Sequence, residues 1–224
     1  MPFRDRTDAG MRLAAALTHL RGEDVVVLAL PRGGVPVAAE VAKALGAPLD
    51  LLLVRKIGYP LQPELAMGAV VGGTPPIIVR NEDVIAATRV GEDAFDEVCR
   101  RELLEIERRG RRYLGGRERP EIRGRCVIVI DDGLATGATM LAALRALRQR
   151  HPKRLVLAVP VAPIETLDRL RGEADDVVCV EAHGYFGAIG AYYDDFHQVS
   201  DEELMSILDR LATRGIRPEN GGPA

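Results

Sequence analysis

Lysine is nearly missing from this chain: of 30 basic residues only Lys43, Lys56 and Lys153 are lysines. Arginine fills the solvated positions, so the lysine of Arg55-Lys56 stands out. Cysteine is also scarce. Cys99, Cys126 and Cys179 are odd in number and follow no CxxC or histidine spacing, which argues against a disulfide framework or a zinc site and fits a reducing cytoplasm. No apolar run approaches the ~20 residues that span a bilayer. The charged start MPFRDRTDAG lacks the apolar segment of a secretory signal, so a cytoplasmic protein with no membrane partner is expected. A net charge of -3 gives no global case for nucleic acid. There is no internal repeat or low-complexity tract. No GxGxxG follows a predicted strand, which sets aside a dinucleotide-binding oxidoreductase.

What is present is an alternation. At 224 residues and 47% apolar content, the length allows one well-buried domain with an appendage, or two small ones. Apolar runs at Val25–Leu30, Leu49–Val54, Cys126–Ile130, Leu155–Pro160 and Val177–Val180 suit strands buried on both faces. Helical patterns at Val35–Leu45, Thr139–Arg150 and Ile164–Leu170 separate most of them, after an amphipathic helix at Asp8–Leu20. The class is therefore α/β, a mostly parallel sheet with helices on both faces. Residues 1–214 are read as one domain. Within it, 57–119 form an insert: a mobile loop from Ile57, a hairpin of Ala66–Val71 with Ile77–Arg80, and a long charged helix at about Asp93–Leu114. Residues 181–199 form an aromatic, glycine-rich hood. Ser200 then caps a closing helix, with Glu203 completing a capping box. The Gly- and Pro-rich tail, 215–224, is expected to fray.

The chemistry concentrates in Val127–Thr139, VIVIDDGLATGAT. Two carboxylates, Asp131 and Asp132, end a buried strand and can accept hydrogen bonds from vicinal hydroxyls. The amides and hydroxyls of Ala135, Thr136, Gly137, Ala138 and Thr139 can wrap a phosphate at the following helix N-terminus, where the macrodipole favours an anion. After the first strand, Arg32-Gly33-Gly34 offers a donor fork and two residues that permit close approach. After the second comes Arg55-Lys56. Ligands of open parallel sheets bind beyond the strands' carboxyl ends, so these segments imply a ligand with anions at both ends and hydroxyls between.

These segments resemble the type I phosphoribosyltransferases, which use phosphoribosyl pyrophosphate (PRPP), and the layout is closest to a group of stand-alone, poorly assigned bacterial members. The PRPP signature is matched by Asp131-Asp132 and Ala135–Thr139; the departure is Gly133, where the family usually has an apolar residue and where a looser loop is expected. The segment PELAMGAV, Pro63–Val70, also looks typical of that group. The resemblance implies that Asp131 and Asp132 hold the ribose hydroxyls and help orient Mg2+ through water. Ala135–Thr139 would take the 5-phosphate, and Arg32, Gly33, Gly34, Arg55 and Lys56 the pyrophosphate, with Asp131, Asp132 and Lys56 as the catalytic set. It implies a homodimer and a loop around Ile57–Gly73 that closes over the substrate.

The acceptor is left open. Ala135 occupies the position where 6-oxopurine members carry an aspartate, and Ile57–Gly73 lacks the lysine of orotate members' mobile loop. Glu64 is as readily a surface acid as one acting on a base. Phe186 and Tyr192 are candidates for stacking on an acceptor base; a small satellite core explains these aromatics equally well. The Arg-rich helix interleaves Arg100, Arg101, Arg108, Arg109, Arg111 and Arg112 with Glu97, Glu102, Glu105 and Glu107, a pattern that fits a salt-bridged face better than a nucleic-acid surface. Transfer from PRPP to a nitrogenous base or small acceptor, releasing pyrophosphate, is the leading reading; a non-catalytic PRPP sensor is the alternative.

Overall fold

The computed structural model describes residues 2–214; the expected frayed tail, 215–224, lies outside the described residues. Five strands, β1 (Val25–Ala29), β2 (Leu49–Leu51), β6 (Cys126–Ile130), β7 (Arg154–Pro163) and β8 (Asp176–His183), form a parallel sheet in the order β2-β1-β6-β7-β8. The order reverses between β1 and β6. Their unbroken apolar runs follow from burial on both faces. Val25, Val27 and Ala29 of β1, with Ile128 and Ile130 of β6, pack toward helices α1 (Arg6–Ala16), α2 (Gly34–Leu45) and α7 (Asp201–Arg214). Val26 and Leu28, with Val127 and Val129, pack toward α5 (Ala138–Arg148) and α6 (Ile164–Leu170). Each fully buried Val, Leu or Ile contributes about 1.5–3 kcal/mol relative to exposure, so two such layers fix the sheet that carries the loops.

The insert differs from expectation at its start. In place of a loop, β3 (Val54–Tyr59) pairs antiparallel with β4 (Gln62–Val71), which then pairs with β5 (Ile77–Arg80) as anticipated. Gly58, Pro60 and Pro63 read as loop punctuation, but each has a place in a hairpin. Pairing is irregular around Gly58, and a Cβ there would meet the Pro63 carbonyl at 2.4 Å, so only glycine allows this close backbone approach. A short helix, α3 (Glu82–Thr88), capped by Asn81, escaped the sequence pattern. The long charged helix α4 spans Glu92–Leu114 and buries Phe95, Val98, Cys99, Glu102, Ile106 and Tyr113 at three- and four-residue spacing. Four of its arginines are ion-paired: Arg108 and Arg109 with Glu105, Arg101 with Glu102 and Arg112 with Asp201.

The cap of α7 is half of the expected box. Ser200 Oγ accepts from the Glu203 amide at 3.1 Å, but the Glu203 carboxylate sits 3.3 Å from His197 Nε2. Flanking carboxylates, Asp195 first, raise the His197 pKa.

Candidate functional site

Leu30–Gly34 and Asp131–Thr139 emerge side by side at the carboxyl ends of β1 and β6, where the strand order reverses, the position at which open α/β sheets bind ligands. The two turns touch. A Cβ on Gly33 would lie 2.0 Å from Asp132 Oδ2, and one on Gly34 would meet the Ile130 carbonyl at 2.8 Å and the Asp131 Cα at 2.9 Å. Gly33 has φ -61 and ψ -35, which any residue adopts, so its requirement is space alone. Gly33→Ala is therefore expected to destabilise by about 1–3 kcal/mol through overpacking and to displace the acidic pair. Chemical denaturation checks this; a change within about 0.5 kcal/mol, the range of an ordinary surface substitution, would contradict it.

Asp132 is buried and ion-paired. Arg6 Nε donates to its Oδ2 at 2.8 Å, and Arg6 Nη1 donates to the His197 carbonyl at 2.7 Å. The Arg6 guanidinium also lies 3.9 Å from the Phe196 ring centroid. The Tyr193 hydroxyl donates to the Asp132 carbonyl at 2.6 Å, and burial holds that phenol well above its ordinary pKa. Asp131 keeps partial solvent contact. Its Oδ1 accepts from the Asp132 amide at 2.9 Å, and its pKa is raised, first by burial and then by the Asp132 charge. The pair thus divides: Asp132 is tied to Arg6, whereas Asp131 keeps partial solvent contact and has no ion-pair partner among the described residues.

The loop beyond is exposed at Ala135, Thr136 and Ala138. Helix α6 braces it from behind. Thr166 Oγ1 donates to the Ala135 carbonyl at 2.8 Å, and Arg169 Nη2 donates to the Thr136 carbonyl at 2.8 Å. Gly137 has φ 71, the left-handed region, and a Cβ there would be 2.7 Å from Thr166 Cγ2. These carbonyls are held against α6, and the first-turn amides of α5 have no partner within the helix. Gly133 does not loosen this loop as expected: it is buried, and a Cβ there would meet Ile189 Cγ2 at 2.7 Å and Val161 Cγ1 at 3.0 Å. The space a side chain would take here is filled by Ile189 of the hood and Val161 of β7.

The remaining candidates are placed as follows. Arg32, whose peptide bond with Pro31 is cis, has Nη1 3.3 Å from Asp201 Oδ1, an oxygen that also accepts from Tyr113. Arg55 and Lys56 alternate along β3 and part company: Arg55 Nε donates to buried Glu102 of α4 at 2.8 Å, while Lys56 Nζ donates to exposed Glu64 at 2.9 Å. Lys56 shares a small concavity with Ala138 and Ala142 of α5, which brings it beside the loop. Phe186 and Tyr192 stack on each other, 4.8 Å apart and 19° from parallel, and His183 lies 4.5 Å from Tyr192. Tyr192 is thus already engaged by two rings. Sequence reading missed Arg6, Thr166, Arg169 and the specific bond of Tyr193. Arg6 sits 126 positions from its partner, and no local pattern announces such a contact. A separate concavity of about 600 Å3, lined by Thr7, Glu40, Lys43 and Ile207, contains none of these residues.

Two glycine-tight turns, an acidic pair and a loop braced by α6 thus meet at the switch point of a parallel α/β sheet. The family described as "Phosphoribosyl transferase domain" matches residues 4–197, and the chain belongs to that family. A Mycobacterium tuberculosis protein provisionally named a phosphoribosyl transferase is 49% identical over 208 residues, covering 93% of this chain and 46% of the relative; the figures are the same in strains CDC 1551 and H37Rv. This chain therefore spans just under half the length of that relative. The crystal structure of TT1426 from Thermus thermophilus is similar, with a TM-score of 0.84 and 44% identity over 94% of this chain and 99% of that one.

Proposed function

We propose that this protein transfers the 5-phosphoribosyl group of PRPP to a nitrogenous base or related small acceptor and releases pyrophosphate. The observation that carries the reading is the direct contact of Gly33 and Gly34 with Asp132 and Asp131, which sets an anion-binding turn against carboxylates that can hold ribose hydroxyls. In this reading Asp131 accepts from the ribose hydroxyls, and Arg6 holds Asp132 in place. The amides and hydroxyls of Ala135–Thr139 take the 5-phosphate. The Gly33 and Gly34 amides and Lys56 take the pyrophosphate. Lys56 can exchange Glu64 for that anion cheaply, because exposed ion pairs contribute only about 0–1 kcal/mol. Arg32 reaches the ligand by leaving Asp201, whereas Arg55 supports the site through Glu102. Displacement at C1 through an oxocarbenium-like state would draw mainly on positioning and on neutralising the leaving group.

Among the described residues no three His, Cys, Asp or Glu side chains converge. The acidic pair alone fits a magnesium ion held mainly by pyrophosphate, hydroxyls and water. When bound, that ion supplies charge neutralisation to the leaving pyrophosphate. The tip of the β3–β4 hairpin, with Leu61 84% exposed, is the segment available to close over the site. We take 1–214 as one domain acting as a cytoplasmic homodimer; among the described residues no helix is long and apolar enough to cross a membrane. The four ion-paired arginines of α4 count only against a sensor that would act on nucleic acid through that helix. A pyrophosphate-release screen over nitrogenous bases tests the proposal: release with at least one base is expected, and PRPP binding without release on any base would favour the sensor.

A further inference from the structure

A concavity of about 530 Å3 lies between the base of the hairpin at Gly72–Pro75, residues 119–123 and the carboxyl end of α5. The 11 residues of α5 separate it from the phosphate loop, about 15 Å at the rise of a helix. Three arginines line it. Arg119 is committed: its Nε donates to Asp50 at 2.7 Å and its Nη2 to the Leu51 carbonyl at 2.9 Å. Arg123 and Arg150 are not. Neither has a carboxylate within 4.0 Å among the described residues, in a chain where most arginines do. Arg150 lies across Gly73 and donates to the Pro75 carbonyl at 2.8 Å. Burial first and then the Arg119 charge lower its pKa, and the Glu121 charge offsets this only in part. Against these three arginines the lining carries two carboxylates, Asp50, which pairs with Arg119, and Glu121, which accepts from the Arg123 amide, so one positive charge remains in excess. Leu52, Ile77, Ile122 and Leu147 give the same concavity an apolar wall.

We infer that this concavity binds a small organic phosphate, with the guanidinium forks of Arg123 and Arg150 on the phosphate and the apolar wall against its organic part. The inference is independent of the proposed transferase site. It is tested by 1H–15N NMR titration of the full chain with AMP, ribose 5-phosphate and inorganic phosphate. Saturable shifts are expected at the Thr74 and Gln149 amides. Arg150→Gln and Arg123→Gln should each weaken them about tenfold or more, as losing a charge-assisted bond implies. AMP binding more tightly than ribose 5-phosphate would place a base on the wall; equal binding would place a sugar there. Inorganic phosphate binding as tightly as both would overturn the role of the wall. No shift at Thr74 and Gln149 with any of the three, or shifts that survive both substitutions, would overturn the site. Arg123 is exposed and its side chain makes no internal bond among the described residues, so its variant keeps the test valid if Arg150→Gln fails to fold.

Discussion

Arg6→Ala is expected to lower folding stability by about 3–5 kcal/mol, the usual consequence of leaving one member of a buried ion pair uncompensated. Arg6 and Asp132 keep side-chain exposures of only 8% and 12%, so solvent cannot take over the lost contact. The same change removes the bond to the His197 carbonyl and the contact with the Phe196 ring, loosening the hood from the acidic pair. Arg6→Lys keeps the charge but not the fork that serves two acceptors at once, and should recover part of the loss. Denaturant unfolding measures both variants. A loss below about 1 kcal/mol for Arg6→Ala, the scale of a surface pair, would show that Asp132 is not held as described.

Asp131→Asn should act in opposite directions on binding and on stability. PRPP affinity is expected to fall roughly 10- to 100-fold for each charge-assisted bond to a ribose hydroxyl that is lost. The fold itself should gain. The Asp131 pKa is raised in the folded state, so its stabilising contribution is full below the ordinary carboxyl value of 3.8 and is lost as pH rises toward the folded pKa. Asparagine keeps the Oδ1 that accepts from the Asp132 amide but carries no charge to bury. Its melting temperature should therefore exceed that of the wild-type chain near neutral pH, and the difference should shrink as the pH falls toward 3.8. A lower melting temperature at neutral pH would contradict the description of Asp131 as a carboxylate whose charge is costly to bury. This trade is common where a fold holds charges for a ligand.

Strand positions were legible because burial on both faces writes a continuous apolar run, as in Val25–Leu30 and Cys126–Ile130, and the glycine turn and acidic loop follow directly from those strands. The β3–β4 hairpin was less legible. Gly58, Pro60 and Pro63 carry turn signals individually, and only the close approach of Gly58 to the Pro63 carbonyl shows that they serve a strand pair. Gly133 was misread for a related reason: its empty side-chain volume is filled by Ile189, more than 50 positions later, and sequence order does not reveal that partner. Arg6, Thr166 and Arg169 were invisible because each acts on the site through a contact made by the folded chain. Residues aimed at a ligand carry local motifs; residues that hold those motifs in place do not.

The most direct test of the account is calorimetric titration of the full chain with PRPP in the presence of magnesium. Saturable binding with one site per chain is expected, with affinity reduced at least tenfold in Asp131→Asn, the loss of one charge-assisted bond. No saturable heat, or an affinity unchanged by that substitution, would contradict the assignment of the site.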